Sequence, residues 1–253
     1  MREILTDLVK EQQTLDQFLQ KINPREWGNP TKAKGWSIKN LVAHLAQFED
    51  LTAQAIEEEV VPNDLIADAG GFEAFVKVGL DTGKPMRPQD VIEWWRLSRA
   101  RAMDALWSLE ADDRVEWVGG DCSARTLATY RIMETWAHGL DVWDIWGNND
   151  EEDMLPETER LKHIIFLSSR VLPVAFKQAG ESFEPVRIEA MGPNYAKWSF
   201  GPVDAPRIKG PAMPMARYVV QRSTLKQAKA EGVVAEGEAA EKALELLTAY
   251  VTG

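Results

Sequence analysis

The residues whose side chains are best suited to carry out chemistry are two histidines and a glutamate in two helical stretches. Glu134 and His138 lie four residues apart, slightly more than one helical turn, so their side chains project from the same face. His44 lies in another stretch, where Leu41 and Leu45 recur at helical spacing and place it beside the buried stripe. Two imidazoles and one carboxylate leave a coordination position open, which is typical of a catalytic metal. The pattern predicts a metalloenzyme with His44, Glu134 and His138 as ligands.

Two charged residues on the same helix could serve these ligands. Asp141 follows His138 by three residues, so it could accept the other ring N–H of that ligand or shuttle a proton. Arg131 precedes Glu134 by three residues and could orient its carboxylate through a charge-assisted hydrogen bond. We therefore predict catalytic roles for Asp141 and Arg131.

The predicted ligand set indicates a particular chemistry. A divalent metal with two neutral imidazoles and one carboxylate keeps a net positive charge, which lowers the pKa of a bound water or thiol. The anionic nucleophile is therefore favoured near neutral pH. A thiolate can add to a cis enedione, permit rotation about the resulting single bond and leave again, which converts cis to trans. The same thiolate can displace a leaving group, so one site supports isomerisation or transfer.

The composition limits the classes of partner. The chain has 253 residues and a net charge of -11 without a Lys/Arg cluster, which argues against nucleic acid as a partner. No apolar run approaches the roughly 18 residues of a membrane span, and the N-terminus lacks the apolar core of a signal peptide. The single cysteine, Cys122, excludes an intramolecular disulfide. We expect a cytoplasmic protein that acts on a small molecule.

Four long helical segments are predicted to position these residues. Apolar residues recur at helical spacing in each segment, Ser37 and Ser123 are suitable N-caps, and Pro88 occupies a tolerated first-turn position. Four such helices with short or medium links form a bundle. Residues 63–86 are predicted to be a long connection with a short amphipathic piece near 72–80, which could cover the site. The predicted helices span about residues 2–21, 38–58, 88–109 and 124–146.

The last third of the chain has a different pattern. Residues 186–190 and 195–200 alternate with period two, which predicts two paired strands, and 207–210 is a candidate third strand. Residues 214–225 and 238–252 have helical patterns, so this part is a small α+β unit. The predicted organisation is a metal-binding helical bundle over 1–150, a connecting helix in 151–180 and an α+β domain over 181–253.

Two motifs in the bundle resemble the maleylpyruvate isomerase family of the DinB-like superfamily. The first is Trp-Ser-x-x-x-Leu-Val-x-His-Leu, ending at Leu45, and the second runs from Arg131 to Asp141 as Arg-x-x-Glu-x-x-x-His-Gly-x-Asp. The resemblance implies a mainly α fold, in which a DinB-like four-helix bundle precedes a small α+β domain similar to sterol carrier protein 2. It also implies that the three ligands hold a divalent ion, usually zinc, and that a low-molecular-weight thiol such as mycothiol is a cosubstrate.

The resemblance extends to a substrate-binding residue in the C-terminal part. In that family a C-terminal arginine helps to hold an anionic substrate, and its best match here is Arg222. The residue before that arginine is Gln221 here, where the family has glycine. The resemblance therefore implies that Arg222 binds substrate.

Three functions from different classes fit the sequence. The leading one is a metal-dependent isomerase or S-transferase that uses a thiol on a small anionic or electrophilic molecule. The second is a metal-dependent lyase, hydrolase or cyclase that uses no thiol. The third is a non-catalytic protein in which a structural metal stabilises the bundle and the C-terminal unit carries an apolar ligand.

Overall fold

The structure, a computed structural model, describes residues 1–147 and 155–250 of the chain. Contacts divide the chain into two compact units, Met1–Leu155 and Pro156–Gly253. The predicted boundary between residues 150 and 151 lies outside the described residues, and the predicted domain limits stay a prediction.

The first unit is built around four long helices. Its helices are α1 (Arg2–Lys21), α2 (Ile38–Glu57), α3 (Pro62–Asp68), α4 (Phe72–Gly83), α5 (Pro88–Trp107) and α6 (Ala124–Trp146), with a 3-10 turn at Pro24–Glu26. α2 packs along α5 and α1 along α6, and contacts of α1 with α5 and of α2 with α6 close the bundle. This confirms the predicted four-helix bundle.

Local sequence signals set the start of the two helices that carry the predicted ligands. The Ser37 hydroxyl accepts the backbone N–H of Asn40 at 3.2 Å, and the Asn40 side chain accepts the backbone N–H of Ser37 at 3.0 Å. This reciprocal pair satisfies two of the N–H groups that the first turn of α2 leaves unpaired. Ser123 caps α6 in the same way by accepting the backbone N–H of Thr126 at 3.2 Å.

Residues 63–86 are helical over most of their length, which corrects the prediction of a long connection, whereas the amphipathic piece predicted near 72–80 lies within α4. α3 and α4 fill this segment, and α4 packs against α2 and buries Phe75 and Val76. Gly71, which precedes α4, has φ 114° and offers no side-chain cap, so the usual sequence signal for a helix start is missing. A helix of 12 residues is marginal alone and depends on packing that a local pattern does not show.

Replacement of Gly83 by alanine should destabilise the first unit. A Cβ at Gly83 would lie 2.6 Å from the Cβ of Ala43, where α4 and α2 approach each other. Relieving this overlap requires a backbone shift, so we expect the free energy of unfolding in urea to fall by about 1–3 kcal/mol. Gly28→Ala is the matched control, because nothing lies within 4 Å of a Cβ there. Equal stability of the two variants would contradict the close helix contact.

A short ladder precedes α6. Strands β1 (Arg114–Val115) and β2 (Cys122–Ser123) pair in antiparallel fashion, with Val115 opposite Cys122. The segment before α6 therefore ends in a strand that leads directly into the Ser123 cap.

Over residues 156–250, the second unit is a four-stranded sheet with four helices. Its elements are α7 (Leu161–Gln178), β3 (Arg187–Met191), β4 (Lys197–Phe200), β5 (Arg207–Pro211), α8 (Ala212–Val219), α9 (Leu225–Ala230), β6 (Val234–Glu236) and α10 (Glu238–Leu246), with a 3-10 turn at Pro193–Tyr195. The strand order is β4-β3-β5-β6, with β3 and β5 parallel and the other neighbours antiparallel. The fold class, a helical bundle followed by a small α+β part, is confirmed.

Details of the second unit differ from the prediction. The helix predicted over 214–225 ends at Val219 in α8, and a separate helix, α9, begins at Leu225; α10 ends at Leu246 rather than near residue 252. Strand β6 was absent from the prediction, because its three residues are too few to show a period. Among residues 1–147 and 155–250, no helix has the length and apolar character needed to cross a membrane.

A buried polar layer crosses the bundle between two apolar clusters. Along α1, Leu8 belongs to one cluster and Leu15 to the other, with Gln12 between them. We define the polar layer as five side chains from all four long helices: Gln12, Asp16, Glu49, Arg99 and Arg131. Hydrogen bonds join each member to at least one other, which offsets the cost of burying them.

Candidate metal centre

The three predicted metal ligands converge inside the bundle. His44 projects from α2, and Glu134 and His138 project from successive turns of α6. One possible ligand atom from each residue lies within 4.8 Å of the other two. The Nε2 atoms of His44 and His138 lie 3.6 and 3.2 Å from Glu134 Oε2. Both imidazoles therefore direct the same ring nitrogen toward one carboxylate oxygen.

Burial and the contacts within the cluster together set the protonation states of His44 and Glu134. Burial lowers the pKa of His44 to about 4, so its imidazole is neutral near neutral pH. Burial raises the pKa of Glu134, but contacts with His138 and His44 lower it by more and hold that pKa well below its usual value. His44 is therefore the neutral imidazole and Glu134 the carboxylate that metal binding requires.

The cluster fits a divalent transition metal. Two imidazole nitrogens and one carboxylate oxygen form a donor set that suits zinc, whereas Mg²⁺ and Ca²⁺ prefer oxygen ligands. Within residues 1–147 and 155–250, buried His44 Nδ1 has no hydrogen-bond partner. The side chain of Glu134 is 19% exposed, against 8% for His44 and 10% for His138, so the cluster opens toward solvent on the glutamate side.

Aromatic rings surround the two imidazoles. The Trp36 ring stacks on His138 at a centroid distance of 5.8 Å and meets His44 edge-on at 5.0 Å. The Phe48 ring lies 4.6 Å from His44 and also contacts Phe72 at the start of α4. These rings fix the imidazoles and keep water from most of the cluster. The segment predicted to cover the site therefore approaches it through Phe72.

Asp141 lies behind His138. Its Oδ2 is 3.4 Å from His138 Nδ1, on the side of the ring away from Glu134, and its side chain is 2% exposed. A buried carboxylate in this place would orient the imidazole and increase its basicity if His138 binds a metal. Of the two roles predicted for Asp141, the geometry favours acceptance of the His138 ring N–H over proton shuttling.

Replacement of Asp141 by asparagine should weaken metal binding without removing a ligand. Loss of the carboxylate charge behind a ligating histidine typically costs about tenfold to a hundredfold in metal affinity. We expect this loss in a competition assay with a chromogenic chelator. Asp144→Asn, at an exposed position of the same helix, is the control and should leave the affinity unchanged. Equal affinities in the two variants would show that Asp141 does not support the site.

Arg131 has a different partner from the one predicted. Its Nε and Nη2 donate to Glu49 Oε1 at 3.3 and 3.2 Å, and both side chains are at most 1% exposed. The Glu49 carboxylate on α2 is completely buried, and among the described residues no hydrogen bond or ion pair joins Arg131 to Glu134. The predicted orientation of Glu134 by Arg131 is therefore replaced by a buried ion pair between α2 and α6.

Sequence reasoning missed Glu49 and Gln12. Gln12 Nε2 donates to Glu49 Oε1 at 3.0 Å, so this oxygen accepts hydrogen bonds from two helices. A signal was present in the sequence, since Glu49 directly follows Phe48 within a largely apolar helix. A charged residue in such a stretch indicates either a solvent-facing position or a buried partner, and only the fold distinguishes these.

Arg222 lies in the second unit, between α8 and α9. Its Nη1 donates to the carbonyl of Val220 at 2.8 Å and to the hydroxyl of Tyr250 at 3.2 Å. Gln221 before it has φ 60°, the left-handed conformation that glycine adopts without steric cost. This conformation is compatible with the glycine that the resemblance implies at this position. The predicted role of Arg222 in substrate binding stays a prediction.

Cys122 does not have the environment of a nucleophile. Burial raises the pKa of its thiol to about 11, so the thiol is protonated near neutral pH. Because it is the only cysteine of the chain, a thiolate reaction here requires a thiol from another molecule.

Comparison with known proteins places the bundle among described domains. The model of the mycothiol maleylpyruvate isomerase N-terminal domain matches residues 8–143. This range contains all three residues of the cluster, together with Arg131 and Asp141. Two uncharacterised proteins of Mycobacterium tuberculosis, from strains CDC 1551 / Oshkosh and H37Rv, are each 32% identical over 250 residues, which cover 97% of this chain and 94% of theirs.

Solved structures show the same fold over most of the chain. The crystal structure of the mycothiol-dependent maleylpyruvate isomerase is similar with a TM-score of 0.59 and 19% identity, and covers 92% of both chains. A histidine-to-alanine mutant of that isomerase gives the same TM-score with 18% identity and the same coverage. The likeness extends through both units of the fold.

Proposed function

Because this chain belongs to the mycothiol maleylpyruvate isomerase family, we propose that it is a metal-dependent isomerase or S-transferase with a low-molecular-weight thiol as cosubstrate. His44, Glu134 and His138 would hold the metal, most favourably zinc. The substrate would be a small anionic or electrophilic molecule with an activated alkene or a leaving group.

One observation carries the proposal: two imidazoles and a carboxylate share a partly open, aromatic-lined position. A divalent metal held there would favour the thiolate form of a thiol near neutral pH. The environment of Cys122 supports a separate thiol, since the protein's own thiol stays protonated. Mycothiol is the thiol named for the similar crystal structure, so it is the first one to test.

The residues around the cluster would orient one imidazole and exclude water from the site. Asp141 would hold the His138 ring and maintain its basicity. Trp36 and Phe48 would exclude water from the reacting atoms, which strengthens electrostatic interactions there. In an isomerisation the sulfur forms a bond to one alkene carbon and the electron pair moves to the conjugated carbonyl oxygen. Rotation about the new single bond and return of that pair expel the thiolate and give the trans product.

The test is thiol-dependent turnover of the zinc-loaded protein. Maleylpyruvate and other compounds with a cis alkene conjugated to a ketone would be incubated with mycothiol, with S-methyl mycothiol or with no thiol, and cis-to-trans conversion would be followed by absorbance. We expect conversion above the protein-free rate only with the free thiol. A parallel set with thiol-reactive electrophiles would detect S-transfer by mass spectrometry.

Other outcomes would replace the proposal. Metal-dependent turnover that needs no thiol would assign the protein to the lyases, hydrolases or cyclases. A stoichiometric metal that is not displaced by competing ligands, together with no turnover, would assign a structural metal and a binding function.

Arg222→Ala should affect substrate binding without affecting metal. If the guanidinium holds an anionic group, its loss should raise the KM of an anionic substrate by about tenfold or more, with unchanged metal content. Lys226→Ala, at an exposed position in the same part of the chain, is the matched control. An unaltered KM in the Arg222 variant would remove this residue from the site.

A further inference from the structure

The first unit has a cavity of about 200 Å³ between α2, α4 and α5. We call it the α4 cleft. None of its lining residues belongs to the His44, Glu134 and His138 cluster. The lining residues are Gln47, Asp50, Leu51, Gln54, Leu65, Phe75, Val78, Gly79, Thr82 and Trp94. Its volume suits a molecule smaller than the drug-sized ligands of ordinary pockets.

Most hydrogen-bond donors of the α4 cleft are already engaged with the protein. Trp94 Nε1 donates to Asp50 Oδ2 at 2.8 Å, and the Thr82 hydroxyl donates to the carbonyl of Val78 at 2.8 Å. Gln47 Nε2 donates to the carbonyl of Phe75 at 2.7 Å, which fixes the orientation of the Gln47 amide. A ligand that mainly accepts hydrogen bonds would find few donors here.

Acceptors of the cleft are left over instead. Within the described parts of the chain, Gln47 Oε1 has no hydrogen-bond partner, but it is buried against Gly79, so the acceptor that a ligand can reach belongs to Asp50. Asp50 uses Oδ2 for Trp94, and among residues 1–147 and 155–250 no hydrogen bond or ion pair engages its Oδ1. A half-buried carboxylate without a cationic partner is unfavourable and is stabilised by a ligand that brings positive charge.

We propose that the α4 cleft binds a small protonated primary amine with an apolar body. The ammonium group donates up to three hydrogen bonds, which matches the unused acceptor at Asp50 and the Thr82 hydroxyl oxygen. The Trp94 indole beside the carboxylate favours a cation further. Leu51, Leu65 and the other apolar lining residues receive the body of the ligand, so a bare ammonium ion binds more weakly. The net charge of -11 attracts cations to the protein.

The test is calorimetric titration of the metal-loaded protein with benzylamine, benzyl alcohol, benzoate and ammonium chloride. We expect saturable binding of benzylamine in the millimolar range or tighter, at least about tenfold tighter than benzyl alcohol, with no binding of benzoate. The Asn side chain in Asp50→Asn can still accept the hydrogen bond from Trp94, and this variant should bind benzylamine about tenfold or more weakly than the wild type. Asp104→Asn, an exposed carboxylate on α5, is the matched control and should bind like the wild type.

Two further variants separate the α4 cleft from the metal centre. Val78→Trp, at a 56% exposed position at the edge of the cleft, should abolish binding by filling it. His138→Ala should keep its affinity for benzylamine if the amine binds in the α4 cleft. If the amine binds the metal instead, this variant should lose that affinity. Equal affinity for amine and alcohol, or unchanged affinity in both Asp50→Asn and Val78→Trp, would overturn the proposal.

Discussion

Replacement of His138 by alanine is expected to remove the metal and with it the thiol-dependent activity. The wild-type protein, purified without chelators, should contain about one transition metal per chain, and the variant should contain almost none. Loss of a metal that stabilises the transition state by several kcal/mol lowers turnover by at least about a thousandfold, since each 1.4 kcal/mol is tenfold. Elemental analysis and the mycothiol assay measure the two effects separately.

The third histidine of the chain provides the control for this experiment. His163 lies on α7 in the second unit, so His163→Ala should keep both metal and activity. His44→Ala should behave like His138→Ala, because both Nε2 atoms face Glu134. Stoichiometric metal in either cluster variant would exclude the proposed site. No metal in the wild type, even after incubation with zinc, would mean that the three residues form a buried polar network.

Replacement of Arg131 by alanine should cause the largest loss of stability. The variant leaves the Glu49 carboxylate completely buried without its guanidinium partner. An uncompensated buried charge of this kind costs about 3–5 kcal/mol. Urea denaturation followed by circular dichroism should show this fall in the free energy of unfolding, and a marginal domain could unfold altogether.

An exposed ion pair gives the comparison for Arg131. Arg114 pairs with Asp121 at 2.7 Å, and both side chains are largely exposed, so Arg114→Ala should cost at most about 1 kcal/mol. A double variant, Glu49→Leu with Arg131→Met, should recover much of the loss, because apolar residues of similar size replace a buried pair at little cost. Failure of the double variant to recover stability would show that Arg131 stabilises the bundle through other contacts.

The sequence predicted the bundle well because its signals are local. Ser37 and Ser123 act as N-caps through hydrogen bonds within one turn, and the apolar periodicity of each long helix is visible along the chain. The convergence of His44 with Glu134 and His138 was predicted from one spacing and one resemblance. In the structure, one possible ligand atom from each residue lies within 4.8 Å of the other two.

Features that depend on distant contacts were not predictable in the same way. α4 begins after Gly71 without a cap and is stabilised by packing on α2, which no local pattern reports. The partner of Arg131 lies 82 residues away on another helix, and both Glu134 and Glu49 were compatible with its charge. The choice between them depends on how α2 and α6 are paired, which is a property of the folded bundle.

The polar layer has a consequence for how the ligands reach each other. A slip of α6 by one turn relative to α2 is a displacement of about 5.4 Å, which would carry Arg131 away from Glu49 and bury both charges unpaired. Apolar side chains repack after such a slip more readily than a paired charge does. The layer thus selects one register of the two helices, and the same register sets His44 opposite Glu134. The buried pair of Arg131 and Glu49, outside the candidate ligand set, thereby preorganises the candidate metal centre.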